Sequence, residues 1–176
     1  MSKIIVYGSY YGTTKSYATE LSKRTGIEAI SYDKVKDLAS YDTILYIGGL
    51  YAGGVLGLNK TIKQLSVSSE KEIFIVTVGL ADPKDIKNIK SIRESISRQI
   101  PESIFEHVKI FHLRGGIDYQ KLNFLHRTMM KLLYNKVKRI PTEKQDAETK
   151  GIIETYNQQV DFVDFNSLND IIKMIL

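Results

Sequence analysis

The chain contains no cysteine and three histidines, at positions 107, 112 and 126. Without a thiol there is no disulfide, no cysteine-ligated zinc, no iron–sulfur cluster and no thiol nucleophile. Histidines this scattered form no recognisable metal set, so any redox chemistry falls to a bound organic cofactor. Long apolar stretches are missing too: no run approaches the roughly 18 residues that a membrane-crossing helix requires. Met1, Ser2 and Lys3 lead straight into a strand-like segment, with no charged region followed by an apolar one of the kind that directs export. The expectation is a cytoplasmic protein.

At 176 residues the chain is long enough for one domain with a full core. Its 43% hydrophobic and 26% charged residues match an ordinary globular protein. The net charge of +5 is moderate, and its placement says more than its size.

The densest local signal lies at the start. Ile4, Ile5, Val6 and Tyr7 are followed by Gly8, Ser9, Tyr10, Tyr11, Gly12, Thr13 and Thr14, after which Tyr17, Ala18 and Leu21 recur at helical spacing. A turn from a buried strand into a helix aims unpaired N–H groups and the positive end of the helix dipole at whatever lies over residues 9–14. Ser9, Thr13 and Thr14 add hydroxyls, and Gly12 removes a Cβ that would hold an anion away. The turn is no nucleotide-triphosphate loop, because Thr14 stands where G-x-x-x-x-G-K-S/T needs its glycine or lysine. It is no dinucleotide fingerprint either, since Gly8 and Gly12 are separated by tyrosines. A hydroxyl-rich turn without a magnesium ligand suits a single terminal phosphate. A plain N-capping turn would account for Thr13 or Thr14 alone.

Further apolar segments at 43–47, 73–78 and 108–113, with a weaker one at 27–32, alternate with the helical patterns Leu58/Ile62/Leu65 and Ile86/Ile89/Ile92/Ile96. Alternation of this kind implies right-handed crossovers and a parallel sheet covered on both faces. Residues 160–165 read as a possible short strand, and Ser167 as the N-cap of a last helix through Ile171, Ile172 and Ile175.

Unusual loops fall where strands end, which in an open parallel sheet is where ligands bind. The segment Gly48 to Gly54 holds four glycines among seven residues. Gly49, Leu50, Ala52 and Gly53 would let backbone approach a flat ligand, and Tyr51 would cover a ring face; the alternative is a flexible turn. Val78, Gly79, Leu80 and Ala81 would offer backbone groups to the polar edge of a ring, with Asp82 before Pro83 as a turn or cap residue. Tyr10 and Tyr11 pack either outside the phosphate turn or on the cofactor. No set of acid, base and nucleophile stands among these residues.

Some 45 residues beyond the fifth strand exceed what a five-stranded fold requires. Leu122, Leu125, Met129, Leu132, Leu133 and Val137 mark a helix carrying Lys121, Arg127, Lys131, Lys136, Lys138 and Arg139. Three readings stand: an added cover on the sheet with solvated charges, an in-plane helix on an anionic membrane or quinone-bearing partner, or a surface for acidic proteins. No nucleic-acid recognition motif accompanies the charge.

The turn Ser9-Tyr10-Tyr11-Gly12-Thr13-Thr14 resembles the phosphate loop of the flavodoxin superfamily, Ser/Thr-x-Thr-Gly-x-Thr. Ser9, Gly12 and Thr14 fall on its phosphate-contacting positions, and Tyr11 replaces the middle threonine. Within the superfamily the chain is similar to the menaquinone-dependent protoporphyrinogen oxidase branch. That likeness runs through Ile47 to Gly53, through Leu113 to Tyr119 and the basic helix with Phe124, Met129, Met130, Lys131 and Leu132, and through Asp164-Phe165 near the end.

The resemblance implies an α/β, flavodoxin-like three-layer sandwich with a five-stranded parallel sheet of order 2-1-3-4-5. It implies one domain over residues 1–176, with a basic helical insertion at about 118–158. It also implies noncovalent FMN held by Ser9 to Thr14, Gly49 to Gly53 and Val78 to Ala81. The activity implied is an FMN-dependent oxidoreductase passing electrons from an organic substrate, such as protoporphyrinogen IX, to a quinone, with peripheral contact at the inner face of an anionic membrane through residues 121–139. The alternative is a flavodoxin-type carrier between redox partner proteins, although such carriers are usually acidic.

Overall fold

In the computed structural model, which describes residues 2–51, 53–65 and 71–176, five parallel strands form the sheet. They are β1 (Lys3–Gly8), β2 (Ala29–Ser31), β3 (Thr43–Tyr51), β5 (Glu72–Gly79) and β6 (Lys109–Arg114), ordered β2-β1-β3-β5-β6. The short β4 (Gly54–Val55) pairs antiparallel with the end of β3. Counting the parallel strands alone, this is the expected order 2-1-3-4-5, and the weak 27–32 segment supplies an edge strand.

Strand periodicity sorts the core into two halves. Ile4, Val6, Ile44, Tyr46 and Ile75 point to one face, where α2 (Leu58–Ile62) and α3 (Ile86–Ser97) add Leu58, Ile62, Ile92 and Ile96. Ile5, Leu45, Ile47, Phe74, Val76 and Val78 point to the other, where α1 (Thr13–Thr25) adds Tyr17, Ala18 and Leu21. All of Thr43 to Gly48 is buried, which explains the near-continuous apolar run there. Each large side chain fully buried in this way stabilises the fold by about 1.5–3 kcal/mol relative to exposure.

Two expectations about helix ends are corrected. Ile86 does not join the core stripe of α3: it is 82% exposed, while Asn88 is buried and donates to the Asp82 carbonyl at 3.0 Å. A first-turn residue beside the Asp85 cap points away from the sheet, and the polar Asn88 side chain closes the preceding turn instead. Ser167 is not an N-cap. It lies within a 3-10 turn, Phe165–Leu168, capped by Asp164, which accepts from the Asn166 N–H at 2.9 Å.

The four-residue α4 (Glu102–Phe105) leads into β6, and beyond β6 come β7 (Gly116–Asp118), α5 (Phe124–Val137), α6 (Ala147–Thr155), β8 (Gln159–Asp161) and α7 (Asn169–Ile175). Residues 159–161 therefore form a strand outside the main sheet: β8 pairs antiparallel with β7, so the segment 116–161 closes on itself. Tyr17 ties it down, donating from its hydroxyl to the Arg114 carbonyl at 2.7 Å and accepting from the Asp164 N–H at 3.0 Å. α7 returns Ile171 and Ile175 to the core beside α1.

Candidate functional site

The turn between β1 and α1 owes its shape to Gly12, whose φ of 98° puts it in the left-handed region at the N-cap. No side chain caps α1, and no acidic residue occupies its first turn. The first intrahelical bond, from the Ser16 N–H to the Gly12 carbonyl at 2.9 Å, leaves the N–H groups of Thr13, Thr14 and Lys15 facing outward over the turn, as at any helix start. Ser9 accepts from the Gly12 N–H at 3.1 Å through its hydroxyl oxygen, so its own O–H hydrogen remains available to a ligand. A Cβ on Gly12 would meet no heavy atom within 4 Å, hence the space above the turn is open. These are the properties of an anion site.

Thr14 is buried, and a Cβ on Gly49 would lie 3.2 Å from its hydroxyl oxygen. Gly49 thus seats the first turn of α1 against β3. This changes the meaning of the glycine-rich segment. Gly48, Gly49, Leu50 and Tyr51 belong to β3, with Gly48 paired to Gly8 and Thr77. A Cβ on Gly48 would sit 2.2 Å from a Val55 methyl. The pair serves close packing inside a strand and is not part of a loop. The turn proper is Gly53, at φ 79°, and Ala52 lies outside the described residues.

Tyr51, at the tip of β3, meets the turn before α1 from the side. Tyr10 lies 5.1 Å from Tyr51, ring centre to ring centre, and both approach His126 of α5, at 5.1 and 4.8 Å. Tyr11, also half out in solvent, shares a hydrogen bond between its hydroxyl and His126 Nδ1. The Tyr51 hydroxyl points at Met129 Sδ, 3.6 Å away. Three tyrosines and one histidine from three elements therefore gather beside the open turn.

The third segment is more committed. The Gly79 carbonyl accepts from the Gly115 N–H at 2.7 Å, the Leu80 carbonyl accepts from Arg114 Nε at 2.9 Å, and Gly151 of α6 lies against Ala81. Arg114 is itself held over the Phe162 ring at 3.7 Å. Val78 is buried in β5. What this segment retains for a ligand is N–H groups. An open cleft of about 800 Å³ does border it, between Asp82 and Lys84 on one side and Asp146 and Lys150 on the other. It does not reach the turn at residues 9–14.

His126 is the member of this cluster that sequence reasoning missed. It is 7% exposed, and its partners come from the other end of the chain. A usable signal existed in Asn123, which caps α5 by accepting from the His126 N–H at 2.8 Å, fixing the histidine in the first turn.

The basic helix also faces differently than expected. His126 and Val137 are its buried residues, with Leu122 buried just before its cap, whereas Phe124 is 86% and Leu132 65% exposed, and Leu125, Met129 and Leu133 are exposed with them. The helix has apolar residues on two sides; the His126–Tyr11 bond and the stack of Tyr134 on Tyr156 select the aromatic side for the interior. Its broad aliphatic face does not cover the sheet. No helix among the described residues is long and apolar enough to cross a membrane.

The sequence model of the flavodoxin domain matches residues 4–145. The chain belongs to the flavodoxin domain family. Similar solved structures include a putative flavoprotein from Bacteroides uniformis (13% identity, 64% of this chain and 88% of that one, TM-score 0.46). A flavoprotein from Lactobacillus acidophilus in complex with FMN (13%, 64% and 91%, 0.46) and a flavodoxin from Pseudomonas aeruginosa (17%, 75% and 93%, 0.43) are others. No curated protein matches the chain.

Proposed function

We propose that this chain binds FMN without a covalent bond and carries electrons between redox partner proteins. The observation that carries the reading is the uncapped, acid-free start of α1, where Gly12 leaves an open cradle of N–H groups and hydroxyls. In this reading Ser9, Gly12, Thr13 and Thr14 hold the terminal phosphate. Tyr10, Tyr11 and Tyr51 supply aromatic walls, with Gly49, Leu50 and Gly53 behind them, and Val78 to Ala81 offer backbone to the far edge. The flavin, when bound, accepts and releases electrons, and the protein needs no acid–base set for that chemistry. Tyrosine faces disfavour the electron-rich reduced ring and keep water off it.

A second reading is favoured by the outward aliphatic face of α5. Phe124, Leu125, Leu132 and Leu133 are exposed beside Arg127, Lys131 and Lys136, on the helix whose His126 packs against the tyrosines. That pattern suits an interfacial helix on an anionic bilayer. It would bring the site to a lipid-soluble quinone, making the chain an FMN-dependent oxidoreductase of the protoporphyrinogen oxidase type. Anaerobic stopped-flow measurement of flavin bleaching by protoporphyrinogen, followed by reoxidation with a menaquinone analogue, separates the two. Turnover no faster than free FMN leaves the carrier; turnover well above it establishes the enzyme.

A further inference from the structure

The aromatic cluster beside the turn at residues 9–14 contains one ring nitrogen that neither the packing of α5 nor the turn uses. His126 is more than nine-tenths buried, yet only its Nδ1 is bonded, to the Tyr11 hydroxyl. Its Nε2 has no hydrogen-bond partner among the described residues. The groups facing it are the phenols of Tyr10, Tyr11 and Tyr51, and no carboxylate forms an ion pair with it among the described residues. Arg127, next in sequence, turns away to the carbonyls of Tyr119, Gln120 and Leu122 at 3.2–3.3 Å.

The residue is buried as a whole while Nε2 keeps no protein partner, and a ring nitrogen held in this way among the rings of Tyr10, Tyr11 and Tyr51 is suited to a planar, hydrogen-bonding ligand. The location fits as well. A phosphate held over residues 9–14 brings the rest of its molecule along the carboxyl ends of the strands, where Tyr10 and Tyr51 stand.

We propose that His126 is a cofactor-contacting residue, delivered by α5 to the flavin ring and not to its phosphate, with Tyr11 as its positioning residue. The inference rests on the FMN reading above. With the phenol donating to Nδ1, the imidazole carries its proton on Nε2 and presents a donor to the acceptor atoms of the ring. The segment 116–161 then completes the cofactor site in addition to offering an outer surface.

The test compares FMN with riboflavin, which has the ring but no phosphate, by fluorescence titration of the full chain freed of flavin. His126→Ala is expected to weaken both ligands by a similar factor, about tenfold or more. Tyr11→Phe is expected to give a smaller loss in the same direction. In wild-type protein the imidazole C–H resonances of His126 are expected to shift on adding riboflavin, a readout that needs no variant to fold. Unchanged or tighter binding of both ligands by His126→Ala, or imidazole resonances that stay in place, overturns the assignment while leaving FMN binding intact. Failure of the wild type to bind FMN at all overturns the underlying reading instead.

Discussion

Tyr134 of α5 and Tyr156, just beyond α6, lie face to face with ring centres 3.8 Å apart and planes 4° from parallel. Tyr119 meets Tyr156 edge-on at 5.4 Å, so three rings join the start, middle and end of the segment that carries His126. Tyr156→Ala is expected to cost about 0.5–1.5 kcal/mol beyond the lost burial. The effect should be local: hydrogen exchange should quicken across Phe124 to Val137 while β3 and β5 stay protected. Uniform acceleration through the sheet would contradict a local role.

Gly8 and Gly12 separate space from backbone conformation. A Cβ on Gly8 would stand 2.2 Å from the Leu56 carbonyl oxygen, a backbone atom that cannot step aside. Gly8→Ala is expected to destabilise by about 3 kcal/mol or more, at the upper end of overpacking, measured by urea denaturation.

Gly12 has room for a side chain, but its φ of 98° strains any other residue by roughly 1–2 kcal/mol. Gly12→Asp also sets a negative charge beside the phosphate. FMN affinity is expected to fall at least about tenfold, or about 1.4 kcal/mol, with riboflavin affinity nearly unchanged. Equal affinity for FMN in the variant would count against the turn as the phosphate site.

His112 makes the fold sensitive to acid. It bonds Thr77 Oγ1 at 2.7 Å, and burial, with Arg93 adding to it, lowers its pKa from 6.5 to about 4. The unfolded chain therefore binds more protons between those values. Stability is full above about pH 6.5 and declines as the pH drops toward 4. His112→Gln is expected to flatten this slope in denaturation curves taken across that range; an unaltered slope would assign it to other groups.

The exposed face of α5 gives a variant that should leave the core untouched. Leu132→Asp is expected to change stability by no more than about 0.5 kcal/mol. If the interfacial reading is right, it will abolish cosedimentation with anionic liposomes at low salt, and high salt will weaken wild-type binding. No wild-type binding at low salt would discard the bilayer as a partner.

The sheet was legible because its signal is local. Ile44 to Ile47 and Ile73 to Val76 are apolar or aromatic throughout, as short strands buried on both faces require. The turn from β1 into α1 was legible for the same reason, since its residues are neighbours in sequence. Composition misled where one residue type serves two ends. Gly48 and Gly49 look like a loop, yet they are strand residues whose missing Cβ atoms admit Val55 and Thr14. The orientation of α5 was not legible because both of its sides are apolar, and the choice falls to Tyr11 and Tyr156, which are distant in sequence. His126 was hidden for that reason too: its partner lies 115 positions away.

The account depends most on where the phosphate sits, and an amide NMR titration of the flavin-free protein with FMN reads that position directly. The N–H resonances of Gly12, Thr13, Thr14 and Lys15 are expected to move together and to saturate at one equivalent. Resonances of the turn that stay still while others shift, or shifts that never saturate, would contradict it.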